Sequence, residues 1–111
     1  MKPLREGVIH RMELPIADVF DIAIPGFRQV LHVSEHRNHA RSREAFEVWY
    51  ERAASATTAD TVTVRFRTVG TGNPITFRTG PTYAQYLGTV KTHSNQLVWH
   101  VYVEYPVVEE V

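Results

Sequence analysis

Apolar and polar residues alternate with a period of two along most of the chain, the spacing of strands rather than helices. Val8, His10, Met12 and Leu14 alternate with Ile9, Arg11 and Glu13, and Pro15 ends the run. Val19, Asp21 and Ala23 alternate with Phe20, Ile22 and Ile24. Pro25-Gly26 then signals a turn, and residues 27–33 follow as a short apolar strand. Within residues 44–52, Phe46, Val48 and Tyr50 share one face and Glu47, Trp49 and Glu51 the other. Residues 61–69 alternate most clearly, with Val62, Val64 and Phe66 against Thr63, Arg65 and Arg67. Residues 83–91 form a weaker strand in which Gly88 marks a bulge or a close backbone contact. The last strand, 97–105, sets Leu97, Trp99, Val101 and Val103 against Val98, His100, Tyr102 and Glu104.

About seven strands at regular spacing predict an all-β chain, an antiparallel β-sandwich or partly open barrel, as one domain over residues 1–111. Residues 39–56 have some helical propensity, since they hold Ala, Glu and Arg in a mixed pattern. The alternation of Phe46, Val48 and Tyr50 favours a strand over 44–52 instead. Residues 107–111 are expected to fray after Pro106. Two loops stand out, at 35–43 and 70–82. Phe66-Arg67-Thr68 is echoed by Phe77-Arg78-Thr79, so the second loop is either irregular or a hairpin excursion that lengthens a sheet.

Composition narrows the chemistry. The 111 residues suffice for a core without disulfides or metals. Twelve basic and twelve acidic residues cancel, and they cancel in each half, which disfavours nucleic acid as a partner. No cysteine is present, so thiolate metal sites and cysteine nucleophiles are excluded. The N-terminal residues lack the apolar core of a signal peptide, and no apolar run has the length of a membrane helix. The protein is therefore expected to stay in the compartment where it is made, with no membrane partner.

Six histidines are the first candidates for a site. His36 and His39 share a loop with Arg37, Arg41 and Arg43, whose charge would repel a cation. That loop reads as a solvated surface able to touch phosphate or an acidic partner. His93 reads as solvated in a polar turn. His10, His32 and His100 lie on strands, where they are either hydrogen-bonded individually or, if adjacent, a three-histidine metal site. Gly70-Thr71-Gly72 fails as a phosphate loop, because Pro74 prevents a helix from opening and no lysine follows. The serines lack a nucleophile-elbow context. No catalytic residue, no metal ligand set and no cofactor is assigned.

The aromatic residues are more suggestive. Trp49 and Tyr50 must point to opposite faces of their strand, as must Trp99 and Tyr102. The last strand is apolar on both sides, the pattern of a strand covered by a second layer or by another chain.

The ordered set Val8-Ile9-His10-Arg11-Met12-Glu13-Leu14-Pro15, Val30-Leu31-His32-Val33, Glu47-Val48-Trp49-Tyr50, Phe66-Arg67-Thr68-Val69-Gly70-Thr71-Gly72-Asn73-Pro74, Tyr86-Leu87-Gly88-Thr89 and Val98-Trp99-His100 spans nearly the whole chain. It resembles a small, uncharacterised domain-of-unknown-function family of actinobacteria and actinobacteriophages. The chain departs from that pattern at Asn73, where histidine is frequent, and in longer segments at 75–82 and 35–43. The resemblance implies a compact β domain, phage-encoded, and no particular activity.

The leading expectation is a non-enzymatic accessory protein that binds a host or phage protein in the cytoplasm of the infected cell. Its expected contact surface is Trp49, His100 and Tyr102 together with Arg37, Arg41 and Arg43, aromatic and arginine being the residue types that dominate interfaces. Self-association through the last strand is expected to give a homo-oligomer. A small virion structural or decoration protein is the alternative, and a ligand or metal binder using His10, His32 and His100 the third.

Overall fold

A computed structural model describes residues 6–38, 40–77, 83–92 and 97–107. Every segment with strand periodicity is a strand: β1 (Gly7–Pro15), β2 (Val19–Pro25), β3 (Phe27–Glu35), β4 (Ala45–Ala53), β5 (Thr61–Gly70), β6 (Tyr83–Thr92) and β7 (Leu97–Tyr105). Residues 39–56 contain β4 and only a short 3-10 turn at Arg41–Arg43, so the alternation outweighs the helical propensity there. A second such turn spans Thr58–Asp60. Residues 71–77 add no strand to either sheet. Among the described residues no helix is long and apolar enough to cross a membrane.

The strands form two antiparallel sheets, one ordered β1-β4-β3 and the other β2-β5-β7-β6. They are arranged like a sandwich and do not close into a barrel. The alternating apolar positions of both sheets meet in one core that includes Leu14, Ile24, Phe46, Val48, Phe66 and Val101. Tyr50 and Trp99 point to the core side, which turns Trp49 and Tyr102 outward. Burying these side chains is the main force holding the layers together, at about 25 cal/mol for each Å² of apolar surface removed from water.

Two glycines make the layering possible. Gly26 joins β2 to β3 across the two sheets with φ +67, and a Cβ there would fall 2.3 Å from Ala56 Cβ. Gly88 sits at the register shift between Tyr86 and Gly88 in β6, with φ +156. A Cβ at Gly88 would lie 3.0 Å from Val33 Cγ2, so this glycine is both a bulge and a close contact, here between β6 and β3.

Two expectations are corrected by the topology. β7 is an interior strand, hydrogen-bonded to β5 on one side and β6 on the other. It has no free edge through which copies could pair. Val107 is also not frayed, since its N–H donates to Thr63 O at 2.9 Å. Residues 108–111 lie outside the described residues.

Candidate functional site

The outward positions of β1 and β4 place two carboxylates side by side, Glu13 directly opposite Glu47. Like charges at such a position repel unless cations join them. The segment after β3 supplies those cations by folding back over the sheet. Arg41 grips Glu13 with two hydrogen bonds, Nε to Oε1 at 2.7 Å and Nη2 to Oε2 at 2.6 Å. Arg37 donates to Glu47 Oε1 from its backbone N–H and from Nε, both at 3.1 Å. Arg11 Nη1 reaches the same oxygen at 3.4 Å. His36 Nδ1 accepts the Asn38 N–H at 3.0 Å, which leaves the hydrogen on Nε2 to be donated to Glu13 at 2.6 Å.

The ionisation follows from these contacts. The Arg41 hydrogen bonds hold the Glu13 carboxyl below its ordinary range, and the same bonds raise Arg41. Burial opposes ionisation of Glu47, but the Arg37 backbone and side-chain donors and the Arg11 charge outweigh it, so its pKa is lowered too. Glu47 is only 1% exposed. The loop of arginines and histidine is thus solvated, as expected, and is at the same time latched to the sheet. Its charges are matched within the chain, although the Arg37 and Arg41 side chains keep an exposed flank. Trp49 lies on this face too, its ring 5.5 Å from that of His32. The Arg43 side chain lies outside the described residues, as do His39 and His93.

The outer face of the four-stranded sheet is built differently. The register sets Tyr102 opposite both Arg67 and Tyr86. Tyr86 and Tyr102 have ring centroids 5.2 Å apart, and Phe77 meets Tyr102 edge-on at 5.0 Å. One row further along β7, His100 bonds Thr71 through Nε2 at 2.7 Å and Thr89 through Nδ1 at 3.0 Å. The Thr89 hydroxyl continues to Tyr86 Oη at 2.5 Å. The loop after β5 is therefore clasped to the sheet at two points, Thr71 on His100 and Phe77 on Tyr102.

A hydroxyl beside an imidazole is the first requirement of nucleophilic catalysis. Here the group orienting His100 is a neutral hydroxyl, and the Asn73 N–H in the same turn is engaged by Gly70 O at 3.1 Å. The arrangement fits a clasp better than a reaction centre. Beside it, a cleft of about 420 Å³ is lined by Asp18, Arg67, Asn73, Ile75 and Trp99, among others. Ion pairs border the aromatic row: Arg65 grips Asp21 at 2.7 and 2.8 Å, and Arg67 bonds the fully buried Glu104. The Asp21 hydrogen bonds raise Arg65.

The structure thus divides the expected contact surface. Trp49, Arg37 and Arg41 belong to the outer face of one sheet, His100 and Tyr102 to the outer face of the other. The three strand histidines do not meet either. His10 faces the core side, stacks on Tyr50 at 5.6 Å and accepts the Arg52 Nε hydrogen on Nε2 at 2.9 Å. His32 is on the opposite face of that sheet and His100 is in the second sheet. An arginine on the ligating nitrogen of His10 and three separate faces rule out a shared metal. Among the described residues no group of three ligating side chains is close enough to hold one.

The residues that reading along the chain missed are Tyr86, Phe77 and Thr71 on one face, and Glu13, Glu47 and His36 on the other. Tyr86 carried a usable signal, since it is a large aromatic in a strand whose apolar set is weak. The buried Glu47 carried none, because period-two alternation assigns it to solvent.

A family model described as a domain of unknown function, DUF7352, matches residues 6–110, and the chain belongs to that family. No curated protein and no solved structure matches the chain.

Proposed function

We propose that this DUF7352 domain is a non-enzymatic protein-binding module whose contact surface is the outer face of the β2-β5-β7-β6 sheet. One observation carries the reading. Tyr86 is 51% exposed and packs on Tyr102 beside Phe77, with Val19 also exposed at the other end of the same cross-strand row. Arg67 lies between Val19 and Tyr102 in that row. Tyrosine and arginine on a rigid sheet give large contact area at low cost in side-chain entropy, the composition of interface hot spots. The Arg65–Asp21 pair flanks this row on its polar side, and the buried Glu104 holds Arg67 in place within it.

In this reading the module is a phage accessory protein acting in the infected cell on a host or phage protein, a role supported by its resemblance to actinobacterial and phage proteins. A tagged pull-down from an actinobacterial lysate, at low and moderate salt, tests it with two variants. Tyr86→Ser is expected to abolish capture of the partner, and Trp49→Ser, on the other sheet, to leave it intact. Capture that survives Tyr86→Ser would overturn the assignment of this face. Recovery of the protein only in purified particles would replace the intracellular role with a virion one.

A further inference from the structure

We propose that β1 is a self-association edge, and that two copies of this chain pair their β1 strands antiparallel into one continuous six-stranded sheet. The surface is separate from the tyrosine face, so the two proposals stand or fall independently.

Four strands lie at sheet edges: β1 and β3 in one sheet, β2 and β6 in the other. Three of them carry features that blunt an edge. β3 has two register shifts against β4, and β6 has one against β7, together with Lys91. These two edges also pack against each other, where Val33 meets Gly88. β2 is the shortest strand, with seven residues. β1 has no such feature. It runs nine residues in unbroken register with β4, without lysine and with proline only at its end. Ile9, on its outward side, is 63% exposed.

The charges on β1 name its occupant. Ile9, Arg11 and Glu13 occupy successive outward positions, and the Arg11 and Glu13 side chains, although engaged by Glu47 and by Arg41 and His36, stay 42% and 37% exposed. A two-fold axis perpendicular to the sheet keeps outward residues opposite outward residues. Centred on Met12, it sets Arg11 opposite the partner's Glu13, and does so twice by symmetry. Centred on Arg11, it would oppose two arginines. Centred on His10, it would set Arg11 opposite the partner's Ile9. Opposite charges directly across an antiparallel pair stabilise it, and like charges disfavour it, so one register is selected. The other edges lack this self-complementarity. β2 carries only Asp21, β6 carries no acid, and in β3 Arg28 bonds Glu51 on the outward side while Glu35 stands opposite the core residue Phe46. Closed two-fold pairing is also the commonest assembly of identical chains.

The test is a charge-swap pair read by sedimentation equilibrium. The wild-type chain is expected to reach twice 12.7 kDa as concentration rises. Arg11→Glu and Glu13→Arg should each weaken self-association by at least about tenfold, since each opposes like charges in both symmetric positions. An equimolar mixture of the two should restore the dimer, because every cross-strand pair is then complementary. Both variants disturb the latch on β4, so a second measurement uses the wild type alone. Amide hydrogen exchange across β1 should slow with protein concentration while β6 stays unchanged. A monomer at every concentration, or a dimer whose β1 exchange is independent of concentration, would overturn the proposal.

Discussion

The two outer faces of this sandwich solve one problem with different chemistry. Each sheet is crossed by a long loop that must be held down. On the β1-β4-β3 sheet, residues 36–43 are held by guanidinium and imidazole groups on two adjacent carboxylates. On the β2-β5-β7-β6 sheet, residues 71–77 are held by a ring on a ring and a hydroxyl on an imidazole. The first loop uses its charges internally and leaves little for a partner. The second leaves Tyr86 exposed beside the clasp. The difference teaches that a cluster of arginines is weak evidence for a binding surface until the carboxylates beneath it are known, whereas an exposed tyrosine beside a rigid aromatic pair retains contact area.

The comparison is broken most forcefully at Glu47. Glu47→Ala removes the carboxylate that accepts three hydrogen bonds from Arg37 and that Arg11 shares, and is expected to cost about 3 kcal/mol, in the range for hydrogen bonds to charged groups. Urea unfolding measures it, and a loss comparable to a neutral surface substitution would show that the latch adds nothing. Tyr102→Ala should cost less, about 1.5 kcal/mol, because it removes two aromatic pairs on a half-exposed face while the core side of β7 stays intact. The same urea series checks the order of the two.

The smallest effect separates the faces by pH. Glu13 and Glu47 have folded pKa values below the ordinary value of 4.5. A carboxylate depressed by folding contributes stability that is fully present above its unfolded pKa and is lost as pH falls through the folded value. Acidification below about 4.5 should therefore lower the protection of amides in residues 36–38 and 40–43, relative to their intrinsic exchange rates at each pH, and residues 71–77, whose clasp contains no carboxylate, should lag behind. An equal loss of protection in both loops would remove the distinction.

Much of the fold was legible along the chain, and less of the site. All seven strands were expected from the sequence, most from local alternation and β3 from a short apolar run after a turn, and Gly26 and Gly88 were recognisable as a turn and a bulge. Of the residues expected to form one surface, Tyr102 remains on the face now assigned to binding, with His100 clasping the loop beside it. Trp49, Arg37 and Arg41 belong to the other sheet. The apolar doubling of β7 was a correct observation, and one of its two expected explanations holds in part, since Phe77 of the same chain packs on Tyr102. The edge pairing expected of β7 is excluded by its interior position.

Alternation is a local property, fixed by the pleat that sends neighbouring side chains to opposite faces. The sequence by itself therefore determined that these segments are strands, and, for those that alternate cleanly such as β1, β4 and β5, which side carries the apolar set. It did not determine which sheet a strand joins. That choice rests on pairing between segments far apart in the chain, such as β2 with β5 and β1 with β4. Only the tertiary structure decided that Trp49 and Tyr102 stand on different sheets, and that Glu47 is buried although it points outward. The reason is physical: a loop folds back wherever its charges or rings find partners, and those partners are brought together only by the completed sheets.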